Sequence, residues 1–357
     1  MSTKPSGGAA PSDGSGSQGG AAPAPQRSAT PPAAGPLRVG IVAGDAGQEA
    51  GFRAYVKQLN DSGGVRGHSI DLVPVGPGAP AINTIATVNL SPQPVAGPGG
   101  APGWATGPLL ETLTATESLL SGNGAVFSFA SPPERQGHLA ADALFPAAVT
   151  GKSAVIYAAP SGPLHDVVPA AMRAVLESRG VTVSVVTYIP EKTVLVGADA
   201  ALLSLDPDAA KAWVAQAKSA HYRPAKGVAG IYSLADETLL PDLPEGARVV
   251  SPYVVPNGDE GQAIRSGAGG TSASVLHGWA SAKALSAAIW RTGADTPAEV
   301  QTALEGLAGW ASGLAPAYTT RPGTRSRTPE GVVFQVQSGA FVADGGFRTD
   351  PRQSPTA

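Results

Sequence analysis

Gln58-Leu59-Asn60-Asp61-Ser62-Gly63-Gly64-Val65-Arg66-Gly67-His68-Ser69-Ile70-Asp71-Leu72 joins a helix to a strand, and its reading decides the fold. Upstream, Phe52, Val56 and Leu59 recur at helical spacing and Tyr55 widens the apolar stripe, which predicts an amphipathic helix. Asn60 leads into the Gly63-Gly64 pair, which can adopt the positive φ values that end a helix. After Gly67, His68 to Val75 mostly alternates, the pattern of a strand. Before the helix, Leu37 to Gly44 is the near-continuous apolar run of a buried parallel strand. Together these segments make a β-α-β unit at the start of a folded domain.

Strands and helices keep alternating beyond this unit. Pro94 to Gly97 reads as a short third strand, Glu111 to Thr116 as a fourth and Ala125 to Phe129 as a fifth. Pro133-Glu134 opens a helix with proline and acid in its first turn. A second series begins at Ser153 to Tyr157. It continues through a helix from about Pro163 to Arg179, strands at Thr182 to Tyr188 and Ala200 to Leu205, a helix at Ala209 to Ala220, and a strand at Gly227 to Tyr232. Two successive series of this kind imply two doubly wound lobes. Arg248 to Val255 reads as a strand able to cross between lobes. Residues 272 to 291 and Thr296 to Leu307 read as helices, the second with Thr296, Pro297 and Glu299 in a capping box. Gly331 to Val336 and Ala340 to Val342 flank a Ser338-Gly339 turn as a closing hairpin.

The first unit resembles the opening of the type I periplasmic binding proteins, nearest to the leucine/isoleucine/valine-type solute-binding subunits of bacterial ABC importers. The features that carry the resemblance are Val39-Gly40-Ile41 in the first strand and Asn60-x-x-Gly63-Gly64-Val65-x-Gly67 before the second. The likeness is collinear but weaker over most of residues 37 to 348. It implies an α/β fold of two doubly wound, Rossmann-like lobes joined by a multi-crossing hinge, the Venus flytrap architecture. The expected division is a tether over 1–36, a first lobe from 37–129 plus about 256–315, a second from 130–255 plus about 316–350, and a tail over 351–357. Three crossings would form the hinge and permit closure without unfolding either core.

Composition agrees with such a protein. A chain of 357 residues is long for one core and suits two domains. A net charge of -3 with 14% charged residues offers no basic surface for nucleic acid. There is no cysteine for a disulfide or thiolate site. No apolar run reaches membrane-spanning length, since Ser274 to Trp290 is interrupted by His277, Gly278 and Lys283. Met1 to Pro36 is almost wholly Ser, Gly, Ala, Pro, Thr and Gln, a composition that reads as a flexible tether and contains no signal-peptide core. A tether here implies a cell-surface or periplasmic lipoprotein whose signal and lipidated cysteine stood where Met1 now stands. The other reading is a disordered N-terminus on a cytoplasmic protein. An apolar segment ending in a small-residue-Cys motif upstream in the reading frame decides between them.

Enzyme chemistry finds no support. The chain holds neither a G-x-S-x-G elbow nor a G-x-x-x-x-G-K-[ST] phosphate loop. His68, His138, His165, His221 and His277 are scattered without an i,i+4 metal pair, so no metal and no cofactor is expected. Gly97 to Gly103 superficially resembles a dinucleotide loop, but Pro98 and Pro102 remove amide donors and bar the helix start.

In the resemblance, ligand lies between the lobes, where the first lobe holds an amino acid's carboxylate through hydroxyls and amides after the third and fourth strands. The family's fourth-strand motif looks like Thr114-Ala115-Thr116-Glu117-Ser118-Leu119, so Thr116 and its neighbour Thr114 are candidate contacts, with strand-end capping the competing role of Thr116. Gly99-Gly100-Ala101-Pro102 replaces the customary serine-rich turn, leaving Gly100 amides or Trp104 to serve. In the second lobe, Leu164 stands near the place of an expected tyrosine. Tyr232, beside Ser233, stands where amino-acid binders carry the acid for the ligand's ammonium. A neutral phenol cannot pair a buried ammonium, so amino acids are disfavoured. Trp104, Leu164, Tyr232, Tyr253 and Trp279 are candidates to face the cleft, which suits an apolar or aromatic ligand, although such rings also commonly pack between helix and sheet. The turn Asp45 to Gln48 and the stretch Ile189 to Gly197 are short and trim the cleft edge. The resemblance implies a monomeric, non-enzymatic solute-binding protein that delivers a small molecule to ABC permease subunits. An extracellular ligand sensor or interaction module of the same fold remains the alternative.

Overall fold

The β-α-β junction is held by one side chain. Asn60 donates from Nδ2 to the Ile70 carbonyl at 2.9 Å and accepts the Ile70 N–H on Oδ1 at 2.8 Å, tying the helix end to the next strand. Gly64 has φ +75°, and a Cβ there would lie 2.0 Å from the His68 carbonyl oxygen, so the turn requires glycine sterically as well as conformationally.

The computed structural model describes residues 34–80, 82–97, 99–121, 124–318, 330–349 and 351. The expected tether up to residue 33, most of the expected third crossing and all but residue 351 of the tail lie outside the described residues. Strands β1 (Ala34–Val42), β2 (His68–Pro74), β3 (Ala86–Asn89), β4 (Leu109–Leu110) and β5 (Val126–Phe127) form a parallel five-stranded sheet in the order β2-β1-β3-β4-β5. Strands β6 (Lys152–Ala158), β7 (Val181–Thr187), β8 (Ala200–Ser204), β9 (Gly227–Gly230) and β10 (Arg248–Ser251) continue in parallel. The antiparallel hairpin β11 (Glu330–Gln337) and β12 (Ala340–Thr349) completes a seven-stranded sheet, β12-β11-β10-β9-β8-β6-β7. The helices are α1 (Ala46–Asp61), α2 (Glu117–Leu120), α3 (Pro133–Leu144), α4 (Val167–Ser178), α5 (Pro207–Ser219), α6 (Asp259–Ala268), α7 (Ala273–Thr292) and α8 (Pro297–Glu305). This is the doubly wound two-lobed α/β architecture.

Several expected elements shift, each for a physical reason. The third strand is β3, not Pro94 to Gly97: Ala86 to Asn89 is buried throughout, so it shows no alternation by which to read it. The Val95 and Ala96 amides instead donate to the carboxylate of Glu111 at 2.9 and 2.7 Å, outside any sheet. The fourth strand is Leu109–Leu110, and Glu111 to Thr116 turns away to start α2. α4 begins at Val167 because residues from Ser161 form a turn first. β1 begins at Ala34, earlier than expected, and α6 was not expected at all.

α1 and α7 cross at glycine. A Cβ on Gly278 would sit 1.9 Å from the Gln48 carbonyl oxygen, and one on Gly51 would sit 2.0 Å from that of Val275. Phe52, Val56, Leu285 and Ile289 share a core with β1, β3 and α8. Trp213, Tyr157 and Tyr188 fill one face of the second sheet. A third core joins α3 and α4 to Leu276, Trp279 and Ala280 of α7, so apolar packing is continuous across the seam between the lobes. A polar chain runs through the same seam. His277 Nε2 lies 3.1 Å from the Glu111 carbonyl and donates to it, while Nδ1 shares a hydrogen bond with the Tyr253 hydroxyl at 2.8 Å.

Candidate functional site

Parallel strands deliver their C-terminal ends, and the N-termini of the helices that follow, to the same edge of each sheet. Here those edges face one another across a cavity of about 520 Å³. The first lobe supplies Gly44 to Gly47 after β1, Pro92 and Gln93 after β3, and Ser272 to Ser274 at the start of α7. The second supplies Asp206 to Asp208 after β8, with Tyr232, Ser233 and Asp236 after β9.

The helix starts explain much of this lining. Asp45 caps α1, accepting the Gln48 N–H at 3.0 Å, and Asp206 caps α5, accepting that of Ala209 at 2.9 Å. Ser272 caps α7 by accepting the Val275 N–H at 3.3 Å. The second carboxylate oxygen of Asp45 accepts from Gln48 Nε2 at 3.1 Å and from Ser274 Oγ at 3.2 Å, so α7 also braces it. The Ala273 N–H reaches the Ala235 carbonyl at 3.0 Å, joining the α7 start to the loop after β9.

Charge in the cavity is one-sided. Asp45, Asp206, Asp208 and Asp236 all border it, and no Lys, Arg or His does among the described residues. The Tyr232 phenol lies among them: burial first, then the charges of Asp45 and Asp206, push its pKa far above the usual value. It therefore stays a neutral donor. Beside it, Ser233 is 3% exposed, and its hydroxyl is buried without a hydrogen-bond partner among the described residues. A buried hydroxyl in that condition leaves hydrogen-bonding capacity unused at the edge of the cavity.

Of the residues singled out from the sequence, Tyr232 and Ser233 border this cavity and the others do not. Trp279 is 2% exposed, donates Nε1–H to Glu260 at 3.0 Å and stacks edge-on against Tyr55 with centroids 5.1 Å apart. Leu164 is buried in the core with α3 and α4, and its carbonyl accepts the Ser204 hydroxyl at 2.6 Å. Thr114 donates to the Pro92 carbonyl at 2.9 Å, while Thr116 caps α2 by accepting the Leu119 N–H at 3.3 Å. Gly100 pairs its backbone with Gly97, and half-buried Trp104 lies in the loop before β4. Tyr253 is committed to His277 and borders a different cavity. The expectation of an aromatic-lined cleft is thereby corrected, because helix-to-sheet packing absorbs the large rings. Sequence reading missed Asp45, Gln93, Asp206 and the serines at the start of α7, Ser272 and Ser274. The available signal was N-cap chemistry: an Asp or Ser directly before a predicted helix, at a strand-to-helix turn, sits at this edge by construction.

No protein-family model matches the chain, and no curated protein does. Among solved structures, the fold is similar to a branched chain amino acid ABC transporter protein from Thermus thermophilus with bound valine, at 13% identity, TM-score 0.67, covering 89% of this chain and 96% of that one. It is similar to a fatty acid ABC transporter substrate-binding protein from Thermomonospora curvata, at 14% identity and TM-score 0.66 over 88% and 93% of the two chains. A solute binding protein from R. palustris in complex with benzoate matches at 15% identity and TM-score 0.65, over 88% and 98%. At such identity the likeness is one of fold.

Proposed function

We propose that this chain is an extracytoplasmic solute-binding protein that captures a small polar solute between its lobes and delivers it to the permease of an ABC importer. The observation that carries the reading is the unpartnered Ser233 hydroxyl, buried beside Tyr232 in a cavity contributed by both lobes. A volume near 520 Å³ falls in the range of small-molecule sites, ~300–1,000 Å³. Four aspartates without a basic neighbour favour a ligand bearing a cationic or donor-rich group. Bringing such carboxylates together as the lobes close is unfavourable unless a cation lies between them, so a cationic solute binds the closed form better and draws the lobes shut. The aromatic or apolar acid suggested by the sequence suits this lining poorly, since its anion would meet four others. The solved neighbours of the same fold described above are named as transporter or solute-binding proteins, which supports the delivery role.

Thermal-shift screening of the purified chain tests this. Diamines, cationic amino acids and polyols are compared with leucine, benzoate and octanoate. A ligand at 100 times its Kd adds about 2.7 kcal/mol to stability. Stabilisation by a cationic or polyhydroxylated solute, lost in Ser233→Ala, is expected. Stabilisation by benzoate that Ser233→Ala abolishes would overturn the polar reading of the cleft.

A further inference from the structure

A second cavity, of about 390 Å³, opens between α6–α7 and the β11–β12 hairpin. Tyr253, Val255, Leu276, Phe334 and Phe341 form its apolar part, the two phenylalanine rings lying 6.0 Å apart at 54°. Ala273 borders both this cavity and the cleft, yet the linings contrast sharply: four aspartates there, aromatic and aliphatic side chains here.

Glu237, Ser251, Asn257, Arg265 and Thr271 interrupt the apolar wall, and two of them stand out. Arg265, in the last turn of α6, borders the cavity and forms no ion pair among the described residues. Thr271 is 6% exposed, and its hydroxyl is buried without a hydrogen-bond partner. A folded chain rarely leaves a buried hydroxyl unpaired, and an uncommitted guanidinium lining the same cavity supplies the complementary charge. Glu237 also borders the cavity; it and Arg265 are both exposed, so water screens its repulsion and the attraction of the guanidinium alike, and the buried Thr271 hydroxyl is the polar group of the site held away from solvent.

We propose that this cavity is a second binding site, for an amphipathic monoanion: an apolar chain or ring carrying one carboxylate. The side chains of Phe334, Phe341 and Leu276 enclose the apolar body, and Arg265 with the Thr271 hydroxyl takes the head. The site is independent of the cleft and of the solute held there. An apolar acid that the cleft's aspartates repel is at home here.

Calorimetric titration of the full chain with sodium octanoate, 1-octanol and octylammonium tests the assignment. Octanoate binds saturably at one site, and at least about tenfold more tightly than either uncharged or cationic probe, a difference of about 1.4 kcal/mol. Arg265→Gln weakens octanoate at least about tenfold. Thr271→Val also weakens it while leaving the unliganded protein equally or more stable, because an unpaired buried hydroxyl has been replaced by an isosteric methyl. Glu237→Gln strengthens it. Ser233→Ala, in the cleft, leaves it unchanged. No saturable octanoate binding, equal affinity for 1-octanol, or binding lost in Ser233→Ala but kept in Arg265→Gln, would each overturn the proposal. The last result would also place the anion in the cleft, and so separates failure here from failure of the polar-solute reading.

Discussion

Glu111→Gln is the sharpest test of how the first lobe is built. The residue is 1% exposed, and its carboxylate accepts four hydrogen bonds. Oε1 takes the Val95 and Ala96 amides at 2.9 and 2.7 Å, and Oε2 takes Asn89 Nδ2 at 2.7 Å and the Thr112 amide at 3.1 Å. Glutamine keeps the shape but must turn its NH₂ towards one pair, setting donor against donor. Asn89 cannot flip to relieve this, since its Oδ1 already accepts the Ser91 N–H at 3.0 Å and hydroxyl at 2.7 Å. Two buried donors are therefore orphaned at about 1–3 kcal/mol each, giving an expected loss of about 3–5 kcal/mol. That is a large part of a typical folding stability of ~5–15 kcal/mol. Urea unfolding followed by circular dichroism reads it as a lower midpoint at unchanged slope. A loss below about 1 kcal/mol would refute the claim that this carboxylate organises the loops after β3 and β4.

Other expectations follow from the same geometry. Gly278→Ala drives a methyl into the Gln48 carbonyl and forces α1 from α7, costing about 2–4 kcal/mol by chemical denaturation; a neutral effect would mean the helices separate freely. Thr116→Val removes the α2 cap and costs about 0.5–2 kcal/mol, while affinity for any cleft ligand found by screening stays the same; weaker binding at full stability would return Thr116 to the site. Glu134 has its pKa raised above 4.5, chiefly by burial, and one of its oxygens is buried without a partner. An acid with a raised folded pKa stabilises the fold when protonated, and this contribution is lost as pH rises from about 4.5 through the folded value. Glu134→Gln, which still accepts the Glu117 N–H, should raise the melting temperature at pH 7 by more than it does at pH 4; an equal shift at both would contradict the burial effect.

Tyr232 entered as the residue standing where an ammonium-binding acid was expected, with Ser233 beside it, and both border the cavity. Thr116, reached by the same kind of alignment, is a helix cap outside it. The difference is local: the strand expected from Gly227 starts where β9 does, whereas the expected third strand fell at Pro94 to Gly97 instead of β3, which is four residues long and wholly buried, so the loops after it were counted off wrongly. Trp279 illustrates a second failure. An aromatic on a long helix has no sequence mark saying whether it faces a cleft or a neighbouring helix, and here Tyr55 and Glu260 claim it.

By itself, the sequence determined the parts of this protein that depend on neighbours along the chain: the β-α-β rhythm, the Asn60 to Gly67 junction, the capping box at Thr296 and the closing hairpin. Those follow from hydrophobic period, positive φ and N-cap chemistry, all of which act within a few residues. The tertiary structure alone decided that four aspartates from three strand ends share one cavity, that the large rings are spent on packing, and that Arg265, Thr271 and Phe341 line one cavity. Such groupings join side chains from separate elements, and their charge and shape act through space, where no periodicity records them.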